Sequence, residues 1–246
     1  MFRLSYIGYS VRVMEFIQDG MPEPTPAYLE PTEFLDFDTP LVRDFAEKTT
    51  EAAKTDIERA GMLYYAVRDS IRYDPYRVKL DRETYRASNL LAARAGFCLP
   101  KANLLAASAR AVGIHCAIGL SDVVNHLCTE RLRRLMSGKN LFLHHGYAVL
   151  YLDGNWVKAA PAFNIELCTR FDVLPTEFDG KSHALFQQFD SKGRQHMEYV
   201  CDHGIWSDFP YHRVVKDFRD YYPEKFLNLT VRETVHRRFE EERPLS

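Results

Sequence analysis

The segment 95–113 limits what this chain can fold into more than any other part of the sequence. Gly96-Phe97-Cys98 runs into Leu99-Pro100, and a helix tolerates proline in its first turn but not in its interior. Gly113 ends the apolar pattern that follows, as glycine commonly does just past a helix. The pattern has helical spacing and mostly small residues: Ala102, Leu105, Ala106, Ala109 and Val112. It predicts a helix that begins at Cys98.

Strands are predicted directly after this helix. Apolar residues alternate over 114–120 and again over 142–152, and such alternation is typical of half-buried strands. Asp153-Gly154 favours a tight hairpin turn into a third strand at 156–160. A helix packed on antiparallel strands places the protein in the α+β class.

The flanking segments are predicted to add helices and one irregular arm. Residues 1–38 combine strand-like stretches with a proline-rich loop, which predicts an N-terminal hairpin or extended arm. Thr39-Pro40 begins a helix, and peripheral helices are predicted at about 211–221 and 229–242. One apolar stripe predicts a further long helix: Ile57, Ala60, Tyr64, Val67 and Ile71.

The domain organisation is predicted to be simple. Neither an internal repeat nor a linker-like composition divides the 246 residues. We therefore expect a single domain over 1–246, with a catalytic core at about 60–165 and a C-terminal elaboration over 166–246.

Composition and charge narrow the class of protein. Hydrophobic residues make up 46% and charged residues 27% of the chain, a balance typical of folded domains. The formal net charge of -2 argues against a nucleic acid or an acidic membrane as partner. No apolar run reaches the ~18 residues of a membrane-spanning helix, and the first residues lack the pattern of a signal peptide. We expect a cytoplasmic protein.

The five cysteines indicate free thiols and one candidate nucleophile. Their number is odd and they contain no C-x-x-C pair, which argues against a disulfide framework or a zinc knuckle. Cys98 lies at a helix start, whose unpaired N–H groups favour a thiolate and can hold the oxyanion of an attacked carbonyl. The competing hypothesis is a buried small hydrophobe, which most free cysteines are. We expect that role for Cys116, Cys128, Cys168 and Cys201.

A histidine on the following hairpin is the candidate partner of this cysteine. His145 lies on the predicted strand 142–152, and its neighbour His144 points to the opposite face of that strand. A histidine beside a cysteine can accept the thiol proton and hold the ion pair that results. The sequence therefore predicts nucleophilic chemistry if the side chains of Cys98 and His145 meet.

Several short motifs in this region form one recognisable set. They are Gly96-Phe97-Cys98, Lys101-Ala102, Ala109-Arg110-Ala111, Gly113-Ile114, His145-Gly146-Tyr147 and Trp156-Val157. The set resembles the transglutaminase-like superfamily, whose members place a glycine-x-cysteine at a helix start and a histidine on the next hairpin. The resemblance covers roughly residues 60–165. It implies a papain-like fold in which a central helix that bears the cysteine packs on an antiparallel sheet.

The resemblance also implies an activity and a pair of catalytic residues. Cys98 matches the nucleophile and His145 matches the general base. The implied reaction is acyl transfer through a thioester, with a peptide amide or small-molecule acyl substrate, water or an amine as acceptor, and no cofactor. The aspartate that the family carries shortly after its tryptophan falls on Ala160, and alanine cannot orient an imidazole.

Another residue has to orient His145 if alanine occupies the aspartate position. With Asp153-Gly154 as the two turn residues His145 faces Ala162, whereas with Gly154-Asn155 it faces Asn164. The side-chain oxygen of Asn164 would then accept the ring N–H. Both registers stay open from the sequence. Less specific alternatives are Asp122 and Asp179.

Binding residues and other functions are less constrained. The aromatic residues Phe97, Tyr147 and Trp156 are candidates for binding substrate. A metal site from Asp122, His126, His144 and His145 has little support, because the two adjacent histidines point to opposite faces of a strand. We therefore predict no metal site. Two alternative functions remain: a binding module that kept the fold with weak or no catalysis, and a metal-dependent hydrolase, which the sequence favours less.

Overall fold

The computed structural model describes residue 21 and residues 23–126, 128–186, 192–193, 196–230 and 238–244. The predicted N-terminal hairpin falls mainly on residues 1–20, which lie outside the described residues. The described part of the arm contains a 3-10 turn at Pro26–Tyr28. The carbonyl of Glu30 accepts a hydrogen bond from the buried guanidinium of Arg110, which ties the arm to the core.

Most helices begin and end where local sequence signals place them. Their bounds are α1 Pro40–Thr50, α2 Asp56–Ser70, α3 Ala87–Ala93, α4 Cys98–Ala111, α5 Glu130–Leu135, α6 Ile165–Phe171, α7 Tyr211–Tyr221 and α8 Glu224–Leu227. The predicted starts at Pro40 and Cys98 are confirmed. Thr55 and Glu58 form a capping box that holds the first turn of α2. None of the described helices combines the length and the apolar character that crossing a membrane requires.

The predicted helix at 229–242 falls partly on residues outside those that the structure describes. Residues 231–237 lie outside the described residues, and the described end of the segment is a 3-10 turn at Phe239–Glu241. Glu242 is buried just after this turn and accepts hydrogen bonds from the hydroxyls of Tyr76 and Thr129. These tertiary contacts, which no local pattern reveals, fix the end of the segment outside α-helical geometry.

Four strands of the described chain form one antiparallel sheet in the order β5-β4-β3-β6. The strands are β1 Arg72–Tyr73, β2 Ala95–Gly96, β3 Cys116–Asn125, β4 Leu141–Leu152, β5 Asn155–Ala159 and β6 Met197–Trp206. β1 and β2 form a separate parallel pair. Asp153 and Gly154 both have positive φ, 47° and 82°, as a tight hairpin turn between β4 and β5 requires. The predicted α+β class is confirmed.

α4 is the central helix of the fold. Each of its residues over 99–110 is buried, and the helix contacts α1, α2 and α3 as well as the sheet. A helix that is enclosed all round needs no polar face, which explains its run of small and apolar residues. The predicted arrangement, a central helix that bears Cys98 on an antiparallel sheet, is confirmed.

Two buried cations fasten α4 to its neighbours. Lys101 Nζ donates to the carbonyls of Arg68 and Ile71, over 2.8 and 2.5 Å, at the C-terminal end of α2. Arg110 donates to the carbonyl of Cys116 at the start of β3. Burial lowers the pKa of Lys101 to about 7. The lysine and arginine of the sequence motifs therefore have structural roles in this protein.

The sheet carries a second, smaller apolar cluster, and one glycine makes it fit. The cluster contains Ala117, Tyr147, Val149, Trp156 and Ala160. A Cβ at Gly119 would lie 2.0 Å from the ring of Tyr147, because the ring lies directly across the glycine. Close packing of this kind leaves no room for one added methyl group.

This contact predicts opposite effects for two glycine-to-alanine substitutions. Gly119→Ala is expected to destabilise the protein by about 1–3 kcal/mol, because a buried ring has to move. Gly61→Ala, in the middle of α2, meets nothing within 4 Å and is expected to stabilise it by roughly 0.5–1 kcal/mol. Urea unfolding of both variants measures the two effects. Equal free energies of unfolding for the two variants would contradict the packing described here.

Candidate active site

Cys98 begins α4, and a short strand pair fixes the residues before it. β1 and β2 place Tyr73 opposite Gly96. The Asp74 N–H donates to the carbonyl of Gly96 over 2.7 Å. Phe97 is then extended, with φ of -109°, before the chain enters the helix. The strand pair therefore determines where the thiol of Cys98 lies.

The thiol of Cys98 lies among backbone N–H groups at the helix start. Burial raises its pKa to about 11, against the opposite effect of hydrogen bonds from the backbone N–H groups of Gly146, Leu99 and Cys98 itself. The side chain keeps partial exposure to solvent. The N–H groups that could hold an anion are thus present, but desolvation outweighs them in this state.

His145 immediately precedes the glycine that contacts the thiol. A Cβ at Gly146 would lie 3.1 Å from the Cα of Leu99, so only glycine permits this close approach of β4 to the start of α4. The imidazole of His145 stacks on Phe186, with ring centroids 4.7 Å apart, and lies 6.0 Å from the ring of Tyr199. The fold therefore brings the backbone around His145 into contact with the thiol of Cys98.

The imidazole of His145 is buried and incompletely paired. Only 5% of the residue is exposed, and burial lowers its pKa to about 3. Its Nε2 atom is buried without a hydrogen-bond partner. Within the described residues, no hydrogen bond joins this ring to the thiol of Cys98. Both groups are consequently neutral at pH values near 7.

The register of the β4–β5 hairpin settles one question that the sequence left open. Ala148 pairs with Ala159 in this hairpin. Continued along both strands, the register puts His145 in line with Ala162. The alternative register, which would have set Asn164 opposite His145, is wrong.

Asn164 uses its side chain elsewhere. Its Oδ1 accepts the N–H of Tyr73 over 3.0 Å, and its Nδ2 donates to Glu166 over 2.8 Å. Asn164 thereby connects β1 to the start of α6. This corrects the expectation that Asn164 orients the imidazole of His145.

With this geometry in place, the comparison with known protein families becomes informative. Residues 43–161 match the family model described as the transglutaminase-like superfamily. Residues 43–161 form a transglutaminase-like core. The matched stretch begins in α1 and ends one residue after Ala160, so it includes α4, β3, β4 and β5.

Two solved structures are similar to the chain. One, from Cytophaga hutchinsonii, is described as a "putative cysteine protease"; identity is 13%, the TM-score is 0.45, and the match covers 76% of this chain and 56% of that one. The other, from Parabacteroides distasonis, is described as a "putative protease"; identity is 15%, the TM-score is 0.35, and coverage is 57% and 27%. The chain thus spans about half and about a quarter of these proteins. No curated protein matches it.

The transglutaminase-like core lacks a carboxylate where the family pattern has its aspartate. Ala160 occupies that position, and its N–H donates to the carbonyl of Ala184. The two fallback carboxylates bond elsewhere: Asp122 accepts from the His144 N–H, and Asp179 accepts from the backbone of an exposed turn. Within the described residues, no carboxylate accepts a hydrogen bond from His145, and its Nε2 atom has no partner.

The three aromatic residues predicted to bind substrate are core residues in this structure. Tyr147 and Trp156 belong to the second apolar cluster of the sheet, and both are buried. Phe97 is 4% exposed and packs against Tyr85, with ring centroids 6.0 Å apart. The alternation that places Tyr147 and Trp156 on strands was predicted correctly, but it does not distinguish a core residue from a binding residue.

Three buried tyrosines are coupled electrostatically to Cys98. Burial raises the pKa of Tyr73, Tyr199 and Tyr222, and a charge on Cys98 would raise each of these pKa values further. Tyr199 belongs to β6 and Tyr222 follows α7, so both lie beyond the transglutaminase-like core. The charge of the candidate nucleophile is therefore coupled to residues that follow position 161 in the chain.

His144 belongs to a separate set of hydrogen-bonded polar residues, which includes Asp122 and Asp217. Its φ of 54° lies in the left-handed region, next to a bulge in β3, and Asp122 accepts its N–H over 2.9 Å. Its Nε2 bonds to Asp217 over 2.8 Å. The predicted separation of His144 from His145 is thus what the structure shows. His126, the fourth residue considered for a metal site from the sequence, bonds to Glu198 over 3.1 Å.

Proposed function

We propose that the protein is a cysteine enzyme that transfers acyl groups through a thioester on Cys98, with His145 as the general base. One observation carries the proposal. Cys98 begins a buried helix, and the close approach of Gly146 to Leu99 brings the backbone beside His145 against the start of that helix. The transglutaminase-like core supports the same assignment.

The chemistry follows from these groups. His145 accepts the thiol proton as the sulfur of Cys98 attacks the carbonyl carbon of an amide or thioester. Backbone N–H groups at the helix start hold the oxyanion of the tetrahedral intermediate. When that intermediate collapses, the bond to the leaving group breaks and His145 returns the proton to the leaving group. Water or an amine then attacks the thioester and regenerates the thiol.

The charge state of the resting site shapes this mechanism. A thiol with a pKa near 11 and an imidazole with a pKa near 3 do not exchange a proton spontaneously at neutral pH. Proton transfer therefore accompanies attack on the substrate rather than preceding it. We expect the thiol of Cys98 to react slowly with simple alkylating agents near pH 7, because the thiolate is the reactive form.

A second candidate function is a binding module that kept the fold without turnover. Its specific support is the combination of alanine at position 160, the unpartnered Nε2 atom of His145 and the ring of Phe186 stacked on the imidazole. In triad enzymes, loss of the orienting group costs about 10⁴ in rate.

Covalent trapping separates the two functions. The protein is incubated with an activated aryl thioester, digested and analysed by mass spectrometry, with the other four thiols as internal controls. We expect an acyl adduct on the peptide that contains Cys98, and loss of this adduct in Cys98→Ala. His145→Gln is expected to slow adduct formation, whereas His115→Gln, which removes a histidine that contacts Tyr151 outside the site, is not. Adducts distributed equally over the thiols would overturn the proposal in favour of the binding module.

A further inference from the structure

We propose that Asp122, Cys201 and His203 form a binding site for a divalent transition-metal ion of the zinc class. A carboxylate oxygen, the sulfur and a ring nitrogen of these residues all lie within 4.8 Å of one another. Asp122 and Cys201 are direct cross-strand partners on β3 and β6, and His203 lies two residues further along β6. This inference does not rest on the proposed function, because it uses neither Cys98 nor His145.

The donor set matches the chemistry of such ions. Carboxylate, thiolate and imidazole are the three ligand types that zinc binds in proteins, and three protein ligands leave a fourth position open. Zinc bonds of about 2.0–2.3 Å require the donor atoms to lie within about 4 Å of one another. Small side-chain adjustments of these partly exposed residues meet that requirement.

The existing hydrogen bonds show which atoms the metal would use. Asp122 Oδ1 accepts from the N–H of His144 and lies 2.8 Å from His203 Nε2. Within the described residues no hydrogen bond reaches Asp122 Oδ2, which is therefore available as a ligand. A metal ion bound to His203 Nε2 would replace the proton that His203 now shares with Asp122, and the thiol of Cys201 would lose its own proton.

Arg213 opposes metal binding in this arrangement. Its Nη2 lies 3.1 Å from His203 Nδ1, and since arginine can only donate, the proton of His203 lies on Nε2. Binding at Nε2 moves that proton to Nδ1, so the guanidinium has to move away. The side chain of Arg213 is 45% exposed, and Asp217 lies 3.9 Å from it as an alternative partner. Arg213 therefore competes with the metal without blocking it.

A buried ring nitrogen without a hydrogen-bond partner lies beside the three proposed metal ligands. His144 is 1% exposed, its ring centroid is 4.5 Å from that of His203, and its Nδ1 has no hydrogen-bond partner. Its Nε2 is already bonded to Asp217. A water molecule bound at the open metal position could donate a hydrogen bond to Nδ1 of His144. His144 would then support a metal ligand by a hydrogen bond, as neighbouring residues commonly do at metal sites.

Cobalt titration tests the site directly. The whole chain is titrated with Co²⁺, whose thiolate complexes give a charge-transfer band in the near ultraviolet, and Zn²⁺ is then added as a competitor. We expect one equivalent to bind through a thiolate and to be displaced by Zn²⁺. Cys201→Ser is expected to abolish the band, and His203→Gln to weaken binding by at least about 10- to 100-fold. Arg213→Gln is expected to tighten binding.

The control variant separates this site from the candidate active site. Cys98→Ser is expected to keep the band, and its loss in that variant would show that the metal binds at the other thiol. A band that survives Cys201→Ser, or the absence of stoichiometric binding, would also overturn the proposal. Thermal unfolding checks the fold of each variant: without metal their midpoints should match the parent, and only the variants that retain the three ligands should gain stability from Zn²⁺.

Discussion

The substitution Ala160→Asp is expected to raise the acyl-transfer rate by about 10²–10⁴, the range over which orienting carboxylates act in triad enzymes. The observed register, continued by one pair, places position 160 opposite Tyr147. Position 160 is then the diagonal neighbour of His145 on the same sheet face, roughly 7–8 Å away between backbones. A carboxylate that extends from there can accept a hydrogen bond from the unpartnered Nε2 atom of His145.

The same substitution is expected to raise the pKa of His145. Burial holds this pKa near 3, and an adjacent carboxylate typically raises the pKa of an imidazole by about 1–3 units. A titration of His145 followed by NMR measures the shift, and single-turnover acylation of Cys98 measures the rate. Ala160→Asn is the matched control, since it supplies an acceptor of similar size without the charge. It should restore orientation and part of the rate with a smaller change in pKa.

The result distinguishes weak catalysis from none. An unchanged pKa in Ala160→Asp would mean that position 160 does not reach the imidazole. A raised pKa with no gain in acylation of Cys98 would favour the binding module. Ala160 lies among apolar side chains, so some loss of stability accompanies the new carboxylate, and unfolding measurements have to confirm that the variant is folded.

Local signals in the sequence were sufficient to predict the framework of the site. The start of α4 at Cys98 follows from proline in its first turn, and its end follows from Gly113, because both effects act within a few residues. The sequence allowed two positions for the hairpin turn, and Asp153-Gly154 was one of them. Asp153 and Gly154 both have left-handed φ values, and this turn gives the register in which Asn164 does not face His145.

The walls of the site could not be predicted in the same way. Phe186, Tyr199 and Tyr222 lie about 40 to 80 residues beyond His145 in the chain, and no local pattern there predicts their contacts with His145 or, for Tyr222, with Leu143. Their closeness to the site depends on how β6 and α7 pack on the sheet, which is a tertiary property. The cross-strand pair of Asp122 with Cys201 was missed for the same reason, since β6 pairs with β3 across a long connection.

His145 is also expected to make the protein sensitive to acid. Its folded pKa of about 3 lies below the value of about 6.5 that an unfolded chain gives. As the pH falls below about 6.5, the unfolded chain binds a proton that the folded protein does not, so stability falls with pH. Between about pH 7 and pH 4.5 this single group lowers the free energy of unfolding by about 2–3 kcal/mol, since each pKa unit corresponds to about 1.36 kcal/mol.

A pair of histidine variants isolates this effect from the other titrating groups. His145→Gln removes the group, so its loss of stability between the two pH values should be about 2–3 kcal/mol smaller than that of the parent protein. Burial also lowers the pKa of His144, but that residue is present in both proteins and its effect cancels in the comparison.

His115→Gln serves as control and should retain the full acid sensitivity. Urea unfolding at both pH values provides the measurement, and an equal loss in the parent and His145→Gln would mean that water reaches the imidazole. In that case the thiol of Cys98, which shares its surroundings, would titrate below 11 and react with alkylating agents at neutral pH.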